Sequence, residues 1–145
     1  MSHDLARRAV ACRHWRWMPG MRVQYIDYGE PTDGHGRYLG LGIQAGDLCV
    51  QWEDYAPRGH LGANWSTPQN FRPAPHILDV VLPDLDDPAT LGCLLALVRE
   101  GYDDEIAHVR PYDGGWDFYT LNPIAPRVTA PTEVHCLVAA LEAAP

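Results

Sequence analysis

Two apolar stripes of helical period bracket a hairpin signal in the C-terminal part of the chain, and this constrains the fold more than any other feature. Leu91, Leu94, Leu95 and Val98 recur at the spacing of one helix face, and Cys93 and Leu97 widen it. Asp87 is a strong N-cap, Pro88 suits the first helical position, and Gly101 reads as the residue after the last turn. Val134, Leu137, Val138 and Leu141 repeat the spacing in a second helix, expected to start near Thr129 to Thr132 around Pro131. Between them, IAHVR (106–110) and GWDFYTL (115–121) read as strands joined through Tyr112-Asp113-Gly114. Two such stripes must be buried, so helices packed on an antiparallel hairpin are expected. The expected core is Leu91, Leu94, Leu95, Val98, Trp116, Phe118, Leu137, Val138 and Leu141.

The rest of the chain has a different grammar. Residues 3–13 read as a short helix, with Leu5, Ala9 and Cys12 on one face, and Pro19-Gly20 stops the segment that follows. Residues 21–73 look all-β: MRVQYIDY, a turn at PTDGHG, GRYLGLGI and DLCVQWE around Gln44-Ala45-Gly46, then ANWS and STPQNFRP. Short strands with glycine at the bends suit a small bent barrel. Residues 74–86 read as a Pro- and Asp-rich connector. The expected class is α+β: an N-terminal helix (1–20) packing on the C-terminal unit, a β unit (21–73) and a helix–hairpin–helix unit (74–145).

Composition narrows the function. The 145 residues are 46% hydrophobic and 21% charged, which excludes a disordered chain. No apolar run approaches the length of a membrane span and no charged-then-apolar leader is visible, so a soluble cytoplasmic protein is expected. A net charge of -8 argues against broad contact with nucleic-acid backbone. All 11 basic residues are arginine, which excludes lysine Schiff-base and P-loop chemistry. Charge is uneven: residues 1–22 carry five arginines against Asp4, and residues 79–105 carry eight acids against Arg99. Cys12, Cys49, Cys93 and Cys136 form no CxxC pair and read as buried thiols.

Catalytic constellations are scarce. Ser2 and Ser66 sit in no nucleophile elbow, the histidines form no HxH or HExxH pair, and the glycines from Gly40 to Gly46 lead into a strand. Asp84, Asp86 and Asp87 could hold Mg²⁺ beside a phosphate in a metal-dependent hydrolase, but a solvated connector with an N-cap is the simpler reading. No metal and no cofactor are expected, and binding is favoured over catalysis.

Two resemblances add to this. The order GMRVQY, GRYLGL, DLCVQWED, NWSTPQNFRP resembles SH3-like barrels of the Tudor and KOW type. That likeness implies an aromatic cage for a cationic ligand, with Tyr25, Tyr28, Trp52, Tyr55, Trp65 and Phe71 as candidates. The segments ARRAVACRHWRWMPGM, LPDLDDPATLGCLLALVRE and APTEVHCLVAALEAAP look like small proteins of tailed phages and prophages. Their order is similar to the phage ABA sandwich domain, although Glu133 stands one residue later than in that pattern. This resemblance implies a protein acting by occupancy in the host cytoplasm, against host defences. It would sequester a nucleotide signal or block a defence protein such as a CRISPR effector; a structural or replication accessory role is the further alternative. Trp52, Tyr55, Arg58, His60, Trp65 and Arg72, with Arg13, His14, Trp15 and Trp17, are the candidate ligand-binding set, because rings stack on bases and arginine forks phosphate. The expected partner is a host defence protein or a nucleotide-type small molecule, with no membrane contact and self-association left open. The acids from Asp79 to Glu105 are the next candidate surface.

Overall fold

The computed structural model describes residues 3–27, 30–44, 47–55, 70–73, 81–121 and 127–145. The protein is α+β, with the elements α1 (His3–Ala11), β1 (Arg22–Asp27), β2 (Glu30–Gln44), β3 (Asp47–Tyr55), β4 (Asn70–Pro73) and β5 (Val81–Pro83), followed by α2 (Pro88–Tyr102), β6 (His108–Tyr112), β7 (Gly115–Tyr119), β8 (Val128–Ala130) and α3 (Glu133–Ala143). The chain divides into two compact units, one made of 1–16 with 91–145 and the other of 17–90. None of the described helices is long and apolar enough to cross a membrane.

The 17–90 unit is an antiparallel sheet in the order β4-β3-β2-β1-β5. Its core forms where Val23, Tyr38 and Val81 meet, with Trp17 and Tyr25 packed against them. The strand order is a meander whose last strand returns to the first. The pairings among the described residues leave it open, so the closed barrel that the sequence suggested is not formed by them. Two local expectations change. The PTDGHG stretch lies within β2 and not in a turn, and Ile26 pairs with Pro31. Among the described residues the pairing of β2 with β3 begins only at His35, so Pro31 faces no described partner on that side, where a missing donor is tolerated. The apolar stretch read as a connector supplies β5, which pairs with β1 through Val81 and Tyr25.

The start of α2 shows why its local signal was legible. Asp87 Oδ2 accepts from the Thr90 amide at 2.9 Å and from the Thr90 hydroxyl at 3.0 Å. The buried Thr90 hydroxyl in turn accepts from the Arg22 amide at 2.8 Å. Arg37 reaches Asp87 at 3.5 Å and also donates to the Gly20 carbonyl, which joins β2 to the helix start.

In the other unit, α3 packs on β7, β8 and α1. Leu94, Leu97, Val98, Phe118, Leu137, Val138 and Leu141 are buried together with Cys136. Leu91, Leu95 and Trp116 are only half-buried, so Leu97 replaces Leu95 on the inner line of the stripe. Arg8 makes a bidentate pair with Glu142 at 2.8 and 2.6 Å, and Arg16 does the same with Glu100 at 2.8 Å. The basic N-terminal stretch and part of the acidic stretch therefore neutralise each other.

The hairpin becomes a three-stranded sheet because Val128–Ala130 adds to β7. That strand delays α3, which begins at Glu133 with Thr132 as N-cap. Gly101 does not end α2; the helix runs on to Tyr102. Its exit is a Schellman motif, with the Asp103 amide on the Glu100 carbonyl at 3.1 Å and the Asp104 amide on the Arg99 carbonyl at 3.0 Å. The left-handed residue of the motif is Asp103, at φ 51°.

Candidate functional site

The described members of the sequence-derived ligand set are divided between the two units. Arg13 Nε lies 3.0 Å from His14 Nε2, which is also 2.9 Å from the Pro145 carbonyl. Depending on its protonation, that nitrogen accepts from Arg13 or donates to the Pro145 carbonyl, not both. Trp15 is half-buried in the 1–16 segment. Trp17 is part of the 17–90 unit, with its ring 6.2 Å from that of Tyr38 and tilted 47°. Trp52 pairs with Tyr38 on one side and Asn70 on the other, Tyr55 with His35, and Arg72 with Val50. Arg58, His60 and Trp65 lie outside the described residues, as does Tyr28 of the cage candidates.

The aspartate cluster has local work. Asp84 is buried, accepts from the Asp86 amide at 3.1 Å and pairs with Arg22 at 3.4 Å. Asp87 caps α2. Its carboxyl loses water on burial, but the bonds from Thr90 and the nearby Arg37 outweigh that and hold its pKa below the usual aspartate value. Among the described residues, no three His, Cys, Asp or Glu side chains group as metal ligands. Burial pushes the Cys136 thiol up to about 11, helped by Asp117 and Glu133, and also raises Cys12. Neither has the lowered pKa of a nucleophile.

The three-stranded sheet has two unlike faces. Phe118 pairs with Val109 and Val128 on the side that feeds the core. The alternate positions carry His108, Arg110, Asp117, Tyr119 and Thr129. Arg110 lies 4.2 Å over the Tyr119 ring and donates to its hydroxyl at 2.8 Å. His108 stacks on the same ring at 5.7 Å. The Tyr119 hydroxyl donates to Asp117 at 3.1 Å, and Thr129 donates to the other Asp117 oxygen at 2.9 Å. This face carries a polar network in which Arg110, Tyr119, Asp117 and Thr129 are linked to one another.

Where the chain enters β6 and leaves β7 the surface hollows. Tyr102, the loop 103–106 and the residues leaving β7 enclose a depression of about 450 Å³. Its apolar edges are Ile106 and Leu121, which are 58% and 68% exposed. Asp104 sets them side by side: its Oδ1 accepts from the Ile106 amide at 3.1 Å and its Oδ2 from the Leu121 amide at 2.5 Å. Arg99 steadies the same loop by donating to the Ala107 carbonyl at 2.8 Å. The ring of Tyr102 forms the inner wall and packs against Phe118 at 5.0 Å. Asp103 and Glu105 are exposed on the rim. Sequence reasoning placed Ile106 and Leu121 inside strands, where alternation hides such an arrangement. The usable signal was an isoleucine directly after Asp103-Asp104-Glu105.

These features define a small α+β protein with a preformed, partly apolar hollow on one unit. No protein-family model, curated protein or solved structure matches the chain.

Proposed function

We propose that the protein acts by occupancy: it binds another protein through the hollow beside Tyr102 and so blocks it. The observation that carries this is the pair Ile106 and Leu121, two large apolar side chains held open next to each other by one aspartate. An exposed apolar patch rimmed by polar residues is a feature of contact sites for proteins, membranes or ligands. The resemblance of the chain ends to small proteins of tailed phages and prophages supports a counter-defence role, with a host defence protein as the target in the host cytoplasm.

The test is an infection assay in bacterial strains that each carry one defence system. The wild-type protein should restore plaque formation on at least one strain, and an Ile106→Ser/Leu121→Ser variant of equal abundance should not. Failure on every strain would overturn the counter-defence reading. A nucleotide that raises the melting point by mass action, without involving Ile106 or Leu121, would instead move the function to signal sequestration.

A further inference from the structure

We infer that the hollow takes an arginine- or lysine-bearing segment of the partner protein, with an apolar side chain of that segment seated between Ile106 and Leu121. This deepens the occupancy reading and rests on it. The apolar part follows from geometry: a depression of about 450 Å³ has the size of one or two side chains, and two of its edges are exposed hydrocarbon. A metal ion or a sugar would leave that hydrocarbon in water. An apolar side chain removes it from water.

The basic part follows from charge. Asp103, Asp104 and Glu105 follow one another along the edge of the hollow. Asp104 has both oxygens committed to amides, so it holds the loop and contributes background charge. Asp103 and Glu105 are exposed. Two arginines are described near them: Arg99, turned to the Ala107 carbonyl at 2.8 Å, and Arg127, which partly offsets the burial that raises the Tyr102 pKa and donates to Thr120 at 3.4 Å. Three carboxylates against two guanidiniums leave the edge net negative, which steers a cationic partner in and repels phosphates. A nucleotide or nucleic acid is therefore the wrong occupant for this hollow. Asp103 occupies the left-handed position at the end of α2, which aspartate tolerates, and lies on the rim.

Three short peptides of equal length test this on the full chain: arginine–leucine, glutamate–leucine and arginine–serine. Amide resonances of the ¹⁵N-labelled protein report the site. The arginine–leucine peptide should shift Ile106 and Leu121, and its affinity should fall as salt rises from about 50 to 200 mM. The other two should bind at least about tenfold more weakly. Asp103→Asn/Glu105→Gln removes the rim charge while keeping side-chain size, and asparagine tolerates the left-handed backbone. It should lose about tenfold in affinity for arginine–leucine at an unchanged melting point. Equal binding of arginine–leucine and glutamate–leucine, shifts that avoid Ile106 and Leu121, or full affinity in the neutral variant would each overturn the inference. The infection assay separates the two levels. If the neutral variant protects phage as well as wild type does, the basic-segment inference fails and occupancy stands. If wild type protects nowhere, the counter-defence reading fails whatever the peptides do.

Discussion

Gly101 is a position where helix propensity and tertiary packing pull in opposite directions. It lies inside α2, where glycine is worse than alanine by about 1 kcal/mol. On propensity alone, Gly101→Ala stabilises. A Cβ at this position would stand 2.9 Å from the Ala144 Cβ and 3.4 Å from two ring carbons of His14. Neither neighbour is the loose end of a long side chain. The Ala144 methyl stands directly on the backbone of a buried residue, and the His14 ring is held through Nε2 by either Arg13 or the Pro145 carbonyl. Forcing an extra methyl into such a contact costs about 1–3 kcal/mol. Packing therefore wins, with a net loss of about 1 kcal/mol after the helix gain is subtracted. Urea unfolding measures it directly, provided the slope with denaturant is unchanged. In an Ala144→Gly background the nearer obstacle is gone, and the same substitution should lose most of its penalty. The coupling between the two changes should reach at least about 0.5 kcal/mol. A Gly101→Ala protein more stable than its parent, or two strictly additive changes, would refute the reasoning.

Truncation along the α2 stripe should separate its two lines. Leu97→Ala, at a fully buried position, should cost about 2–5 kcal/mol, and the half-buried Leu95→Ala clearly less; equal losses in urea unfolding would contradict the packing. Asp87 should make stability sensitive to acid. Its folded pKa lies below the unfolded value, so its contribution is complete above the ordinary aspartate pKa and is lost as pH falls through the folded one. Asp87→Ala should therefore flatten the acid limb of a melting-point profile, and an unchanged limb would count against the cap. Pro111 should protect the edge strand β6. The pairing of Tyr112 with Gly115 across a two-residue turn aims the backbone of Val109 and Pro111 outward, and proline offers no donor there. Pro111→Val should promote concentration-dependent association in sedimentation, and a protein as monodisperse as its parent would show that the edge is guarded by other means.

Local chemistry was the legible part of the chain. The α2 start could be read because Asp87, Pro88 and Thr90 act within one turn, and the hairpin could be read because Asp113-Gly114 lies between two alternating segments. The apolar stripes identified the core elements, although helical period alone could not rank Leu97 above Leu95. The candidate site was much less legible. Only its acids stood out, and they did so as a charge run that included Asp84, Asp87 and Glu100, which the fold pairs with arginines.

What the sequence by itself determined was the set of elements, because caps, turns and periodicity depend on residues a few positions apart. Tertiary structure alone decided how those elements were completed. Val81–Pro83 became a strand because β1 offered a partner, and Val128–Ala130 because β7 did. Gly101 lies inside a helix at a point where Ala144 and His14 leave little room for a side chain. Ile106 and Leu121 became neighbours because one carboxylate accepts from both their amides across a separation in sequence that no local pattern encodes. Contacts of that kind are settled by which backbone groups and surfaces remain unsatisfied after the local elements form, and that is a property of the assembled fold.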